Sequence, residues 1–115
     1  MYKFDFDLEK GEISKQAIVK DFRGTTIEPD GLVIDKDGNL WTALMGHGKV
    51  LKLDPNGNIL QEVIVPTPDV TCPAWGDANN STLYITTASF ASKEGGHVYK
   101  LKTDVSGMSN FEFAG

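Results

Sequence analysis

Turn-forming residues interrupt this chain at short, regular intervals, and that spacing leaves room for little except short strands. Twelve glycines and five prolines are spread over 115 residues, and the segments between them are rich in β-branched and aromatic residues. Helix signals are nearly absent. The pattern therefore predicts an all-β fold with ten strands, at residues 2–7, 14–20, 31–35, 39–45, 48–54, 59–65, 71–75, 82–88, 96–103 and 110–114.

Internal similarity makes the prediction more specific. Three pairs of segments recur at similar offsets: 38–43 and 81–86, which are 43 positions apart; 48–53 and 96–101, which are 48 apart; and the turns that begin at Asp7 and Asp54, which are 47 apart. Repeats of this length, with several short strands in each, are typical of β-propeller blades.

The order of the strands divides them among blades. One blade is predicted to be complete, with strands at 31–35, 40–45, 49–53 and 59–65. The start of the chain supplies the outer two strands of a preceding blade, and residues from about 71 onward supply most of a following one. A propeller has roughly four to eight blades of four strands, so this chain cannot close a ring alone. We therefore expect residues 1–115 to form one partial propeller domain, either a fragment of a longer protein or a piece that assembles with others; a small sandwich built from the same hairpins is the alternative.

Composition excludes several classes of partner. Eleven basic and sixteen acidic residues give a net charge of −5, which argues against nucleic acid and against an anionic membrane surface as partners. No apolar run is long enough for a membrane helix, and the N-terminus has no signal-peptide core. A single cysteine, Cys72, excludes an internal disulfide and a cysteine zinc cluster. We expect a soluble protein of a reducing compartment, the cytoplasm.

A set of motifs, in a fixed order, resembles one family. The motifs are residues 4–14, Pro29-Asp30-Gly31, 35–43, 48–55, 71–76, 83–88, 95–101 and 111–115. In this order and spacing they resemble the C-terminal half of the regucalcin (senescence marker protein), gluconolactonase and luciferin-regenerating-enzyme family, over essentially the whole chain. The resemblance implies a partial six-bladed β-propeller, with about two to three blades of antiparallel four-stranded sheets.

The resemblance also implies a chemistry. Family members hydrolyse sugar lactones such as gluconolactone, animal members bind calcium, and one divalent cation (Ca²⁺, or Zn²⁺, Mn²⁺ or Mg²⁺) lies in the central channel. Of its three protein ligands, a Glu, an Asn and the Asp of a Pro-Asp-Gly motif, only the last has a counterpart here, which is Asp30. Asp30 is thus the expected metal ligand and catalytic base, whereas composition alone favours an ordinary β-turn at Pro-Asp-Gly.

Other chemistry-bearing residues have simpler interpretations. His47 and His97 are predicted to lie in equivalent hairpins of different blades, and not in one site. Cys72 is predicted to be a buried structural thiol, and Thr71 beside it is a candidate to line the channel. The segment 35–38 has its glycine too early for a calcium-binding EF-hand loop, so a hairpin turn explains it. The two overlapping glycosylation sequons at 79–82 are interpreted as a polar loop. Core positions are predicted at Leu40, Trp41, Trp75, Leu83 and Tyr84.

Two functions follow for the chain. The first is a part of a metal-dependent lactone hydrolase that acts on a small-molecule sugar lactone. The second is a non-catalytic β-sheet module that binds Ca²⁺ weakly or only contacts other chains. In either case an unclosed propeller exposes sheet faces and strand edges, so we expect self-association through the exposed blade edges.

Overall fold

The computed structural model describes residues 1–90 and 93–112, which form nine strands and no helix. The strands are β1 (Tyr2–Asp7), β2 (Glu12–Ile18), β3 (Glu28–Ile34), β4 (Leu40–Met45), β5 (Lys49–Leu53), β6 (Ile59–Ile64), β7 (Val70–Gly76), β8 (Thr82–Thr87) and β9 (Val98–Lys102). Within this part of the chain, therefore, no helix is long and apolar enough to cross a membrane.

The strands form three antiparallel sheets in chain order. The first sheet pairs β1 with β2, the second has the order β3-β4-β5-β6, and the third has the order β7-β8-β9. This division confirms the predicted fold class: a complete four-stranded blade lies between the outer part of one blade and most of another. The all-β partial propeller follows from sequence because the strands of each sheet are neighbours along the chain.

Most observed strand ends lie within two residues of the predicted ones, and three differences have a physical reason or bear on the prediction. β2 begins two residues early, and Lys15, at φ 51°, lies at the irregularity where its pairing with β1 shifts. β3 begins at Glu28 and so includes Pro29, because β3 is the edge of its sheet, where a proline is tolerated. Of the tenth predicted strand, residues 110–112 are not in a strand, and 113–114 lie outside the described residues.

The main core lies between the second and third sheets. Trp41 and Trp75 meet edge to face with ring centroids 5.6 Å apart, and the indole N–H of Trp75 donates to the Ile34 carbonyl at 3.0 Å. Leu83 is fully buried beside them, as predicted, whereas Leu40 and Tyr84 are only half-buried. This interface holds the edge strands β3 and β7 against each other.

A smaller core covers the opposite face of the second sheet. Leu44, Leu51 and Leu53 are buried there, under Met1, Phe22 and other residues of the N-terminal segment. The first sheet itself is almost wholly exposed, since Ala17 is its most covered strand residue.

Candidate functional site

Asp30 lies at an irregularity of β3. Pro29 pairs with Leu44, and Leu32 pairs with Thr42. Two residues of β3, Asp30 and Gly31, therefore lie opposite the one residue of β4 that separates Leu44 from Thr42. Such a β-bulge re-aims side chains and is over-represented beside active sites. The Pro-Asp-Gly motif is therefore part of the strand, and the interpretation as an ordinary β-turn is wrong.

The Asp30 side chain is free to bind. The residue is exposed, and no hydrogen bond or ion pair reaches it from residues 1–90 or 93–112. By contrast, Asp35, five positions along, is completely buried and fully hydrogen-bonded. An exposed carboxylate without a partner can accept a proton or coordinate a hard cation at little cost in broken contacts.

Cys72 of β7 is the neighbour of this bulge. A Cβ built on Gly31 would overlap the Cys72 thiol and lie 2.9 Å from its Cα, so the two backbones approach as closely as a glycine allows. Desolvation raises the pKa of the Cys72 thiol, and the negative charge of Asp30 raises it further. The thiol is therefore protonated near neutral pH, which does not suit a nucleophile.

The environment of Cys72 corrects one prediction. The residue is exposed, so the expectation of a buried thiol is wrong for this chain, because the face on which Cys72 lies is only partly covered. Thr71 is half-buried, and its hydroxyl lies 2.8 Å from that of Thr86, which donates to the Cys72 carbonyl at 3.2 Å. Asp30 and Cys72 are thus neighbours where β3 meets β7, and the threonine pair lies beside Cys72.

The two histidines lie elsewhere and apart. His47 is in the β4–β5 hairpin, half-buried, with its Nε2 2.9 Å from the Thr26 carbonyl. His97 directly precedes β9 and stands edge-on to Tyr99 at 6.4 Å. They thus occupy corresponding hairpins of different sheets, as the sequence predicted.

The Asp35 segment is a hairpin turn and not a calcium loop. Its carboxylate accepts hydrogen bonds from the backbone N–H groups of Asp37 and Asn39 and from the Trp41 indole. These bonds turn the carboxylate inward, where it also meets Lys52 at 3.4 Å. Both oxygens of this carboxylate thus already accept hydrogen bonds from the protein.

The donor set at Asp30 can be compared with what a cation needs. Its oxygens suit a hard cation, but Ca²⁺ takes about six to eight oxygen ligands. The described residues contain no group of three or more His, Cys, Asp or Glu side chains placed to hold a metal ion. Asp30 could thus contribute to a metal centre, but the part of the chain that the structure describes does not complete one.

The proximity of Asp30 and Cys72 was not predicted from the sequence, because neither residue indicates on its own that the other is near. The repeat does contain this information. Both residues lie near the start of the first strand of consecutive sheets, and such strands are neighbours when blades stack.

Comparison with known proteins gives a consistent answer. The family described as the SMP-30/Gluconolactonase/LRE-like region matches residues 1–89. Human regucalcin is 34% identical over 122 residues, which is 97% of this chain and 41% of that protein. The putative sugar lactone lactonase YvrE of Bacillus subtilis is 31% identical over 122 residues, 98% of this chain and 42% of that protein.

A solved structure supports the same relationship. The calcium-binding protein regucalcin from Agrobacterium tumefaciens superposes with a TM-score of 0.84 at 28% identity, covering 93% of this chain and 39% of that one. The chain therefore spans about two fifths of the length of the relatives it matches.

Proposed function

Because this chain belongs to the SMP-30/gluconolactonase/LRE-like family, we propose that it forms part of a metal-dependent sugar-lactone hydrolase. The substrate class is taken from the Bacillus subtilis relative, which is named a putative sugar lactone lactonase. The cation is taken from the Agrobacterium relative, which is described as calcium-binding. The observation that carries the proposal is the exposed, unpaired carboxylate of Asp30 on the β3 bulge.

Asp30 is assigned two roles in this proposal. It supplies one carboxylate to a divalent cation, Ca²⁺ or else Zn²⁺, Mn²⁺ or Mg²⁺, with the other ligands coming from outside the described residues. It also accepts a proton from the water that attacks the lactone carbonyl. The ring C–O bond then breaks, the leaving ring oxygen takes up that proton, and a hydroxy acid is released. Cys72, which adjoins the Asp30 bulge across the β3–β7 contact, and Thr71 beside it would line the place where the lactone lies.

A hydrolysis assay tests the proposal. Release of acid from glucono-δ-lactone is followed by pH-stat above the spontaneous rate, with each metal in turn and with a chelator. We expect metal-dependent turnover that falls by about 100-fold or more in Asp30→Asn. Asp37→Asn is the matched control, since it removes another exposed carboxylate, in the turn beyond the other end of β3. Turnover that Asp30→Asn leaves unchanged contradicts the role of Asp30.

The second candidate is a non-catalytic module that binds Ca²⁺ weakly or only contacts other chains. The incomplete donor set among the described residues favours it. Titration calorimetry with Ca²⁺ separates the two functions. A folded chain that binds Ca²⁺ through Asp30 but shows no turnover supports the module, whereas turnover that depends on Asp30 supports the hydrolase.

We also propose the cytoplasm as the compartment of this protein. The support is compositional: the chain has one cysteine, and its thiol is partly open to solvent. A lone exposed thiol is best kept in a reducing compartment.

A further inference from the structure

The first strand of the third sheet carries the same irregularity as the first strand of the second. Val70 of β7 pairs with Thr87 of β8, and Cys72 already pairs with Thr86, so that Thr71 is an extra residue on β7. β3 likewise has one residue more than β4 near its start. Both strands therefore have a β-bulge in this region.

The repeat places the two bulges at the same position. Leu44 of β4 and Thr87 of β8 are 43 residues apart, which is the offset of the repeat in these strands. Their partners on β3 and β7 are each followed directly by the bulge. Thr71 thus has the position in the third sheet that Asp30 has in the second.

The two bulges are also neighbours in space. Gly31, which follows Asp30, lies so close to Cys72, which follows Thr71, that an added Cβ would overlap the thiol. Thr71 therefore adjoins the residue that contacts the Asp30 bulge, at the same end of the two sheets.

The hydrogen bonds of Thr71 fix the direction of its hydroxyl. A threonine hydroxyl has one proton to donate and two lone pairs that accept. Thr86 donates its proton to the Cys72 carbonyl at 3.2 Å. The Thr71 Oγ1, 2.8 Å from the Thr86 Oγ1, is then the donor in that contact, because Thr86 has no second proton. No other hydrogen bond reaches the Thr71 hydroxyl from residues 1–90 or 93–112, so what it offers to a ligand is its lone pairs.

The threonine pair is not needed for the bulge itself. The position of Thr86 is occupied in the second sheet by Ala43, 43 residues earlier, and alanine has no side-chain group that can form a hydrogen bond. The bulge of β3 forms without such a pair. A role of the pair in binding is therefore compatible with the fold.

We propose that the Thr71 hydroxyl accepts a hydrogen bond from a hydroxyl group of the lactone, and that Thr86 is the positioning residue that keeps Thr71 an acceptor. This inference rests on the proposed hydrolase function and extends it to substrate selection. The ring hydroxyls of a sugar lactone are donors, whereas Asp30 is assigned to the cation and the attacking water. An acceptor held in this way selects against a lactone that lacks the hydroxyl, because the acceptor is then left without a donor.

Selectivity between two lactones tests the role of Thr71. δ-Valerolactone has the six-membered ring of glucono-δ-lactone but no hydroxyl groups. Thr71→Val removes the oxygen and nearly keeps the shape, so we expect kcat/KM for glucono-δ-lactone to fall about tenfold more than that for δ-valerolactone, chiefly through KM. Thr71→Ser keeps the hydroxyl and should keep the selectivity. Thr103→Val is the matched control, because Thr103 is another half-buried threonine with a hydrogen-bonded hydroxyl, but follows β9 at the opposite end of the third sheet.

The positioning role of Thr86 has its own test. Thr86→Val leaves the Thr71 oxygen in place but removes the group that holds its proton, so the preference for the hydroxylated lactone should fall. Thr86→Ser restores the hydroxyl and should restore the preference. A merely structural role of Thr86 changes kcat/KM for both lactones by the same factor and leaves their ratio unchanged, which contradicts positioning.

Binding of gluconolactam separates this inference from the hydrolase proposal. In this analogue a ring N–H replaces the ring oxygen, so it keeps the hydroxyl groups but resists hydrolysis. By titration calorimetry with Ca²⁺ present, we expect Thr71→Val to weaken the Kd about tenfold and Thr103→Val to leave it unchanged. Circular dichroism checks that each variant is folded, and Thr71→Ala takes the place of Thr71→Val if valine is not tolerated.

The outcomes of the two assays are distinct. Binding of gluconolactam that depends on Thr71, without turnover of either lactone, contradicts the hydrolase and supports the Thr71 site. A folded wild-type chain that binds no gluconolactam overturns the proposed role of Thr71. The same conclusion follows if Thr71→Val binds gluconolactam as tightly as the wild type, or keeps the wild-type selectivity between the lactones.

Discussion

Two aspartates of the second sheet, Asp30 and Asp35, differ in exposure and in hydrogen bonding. Asp30 is exposed and has no partner in the part of the chain that the structure describes. Asp35 is fully buried, with hydrogen bonds from Trp41 and Asn39 and with Lys52 at 3.4 Å. Asp35 therefore belongs to the scaffold, and Asp30 is available for chemistry.

Replacing Asp35 tests its structural role. Asp35→Ala leaves the Trp41 indole N–H and the Lys52 ammonium buried without their acceptor, so we expect the free energy of unfolding to fall by about 3 kcal/mol or more. Asp35→Asn retains one acceptor oxygen and should lose less. Urea denaturation gives both values, with Asp37→Asn as the exposed control in the same turn, expected within about 0.5 kcal/mol of wild type. Equal losses for Asp35→Ala and Asp37→Asn contradict the assignment.

The charge of Asp35 also makes stability depend on pH. Burial raises the pKa of this carboxyl, but the hydrogen bonds from Trp41 and Asn39 and the charge of Lys52 outweigh it, so the folded-state pKa lies below the ordinary value. The stabilisation is thus complete above the unfolded-state pKa of about 3.9, and is lost as pH falls through the folded value. We expect the stability difference between wild type and Asp35→Asn to shrink below about pH 4. A difference that is constant from pH 7 to pH 3 contradicts this.

The contact of Gly31 with Cys72 is a second test of a single position. Gly31→Ala places a methyl group where the thiol lies, and overpacking of this kind costs about 1–3 kcal/mol. Cys72→Gly in the same chain removes the two closest clashing atoms, the sulfur and Cβ, so the loss of stability in the double variant should be smaller than the sum of the two single losses. Thermal unfolding of the four proteins gives the coupling. Strict additivity shows that the two residues do not touch.

Hairpin turns of one sequence type shape the second sheet. The turns Asp35-Lys36-Asp37-Gly38-Asn39 and Asp54-Pro55-Asn56-Gly57-Asn58 have the same hydrogen bonds. In each, the backbone N–H groups of the third and fifth residues and the side chain of the closing asparagine donate to the aspartate carboxylate. Gly38 and Gly57 have nearly the same positive φ, 83° and 84°. The pattern Asp-x-x-Gly-Asn therefore specifies the turn.

The two glycines differ in what surrounds them, which gives a matched comparison. An added Cβ at Gly38 meets nothing within 4 Å, whereas at Gly57 it would overlap the Val19 carbonyl. Gly38→Ala should therefore show only the backbone strain of a left-handed residue, about 1–2 kcal/mol. Gly57→Ala should lose at least about 1 kcal/mol more. Chemical denaturation compares them, and equal losses mean that the N-terminal segment does not pack on this turn.

Sequence predicted the strands better than their ends. Nine of the strands are where the turn residues place them, because glycine and asparagine at positive φ fix each hairpin locally. The start of β3 was missed because Pro29 signals a break in general, while an edge strand tolerates it. The exposure of Cys72 was missed as well, since it depends on which face a neighbouring sheet covers, and this is not a local property.

At the level of the whole chain, the candidate site was predictable only in part. Asp30 was identified by a resemblance, and its role as ligand or base stays a prediction, because the described residues do not complete a donor set around it. The neighbouring thiol was not predicted as part of the site, since its proximity arises from the stacking of β7 on β3. A repeat gives the order of sheets readily, but the contacts between sheets need the structure.

The stacking of the three sheets predicts an uneven resistance to local opening. The second and third sheets share the core around Trp41, Trp75 and Leu83, whereas nearly every strand residue of the first sheet is exposed. In dilute solution, amide hydrogens of β1 and β2 should exchange about 100-fold faster than those of β4 and β8, because local opening exposes little apolar surface there. Hydrogen exchange read by mass spectrometry measures these four strands in one experiment. Equal protection of β1 and β4 in dilute solution contradicts the prediction, because it means that the first sheet is as stable as the core sheets despite its exposure.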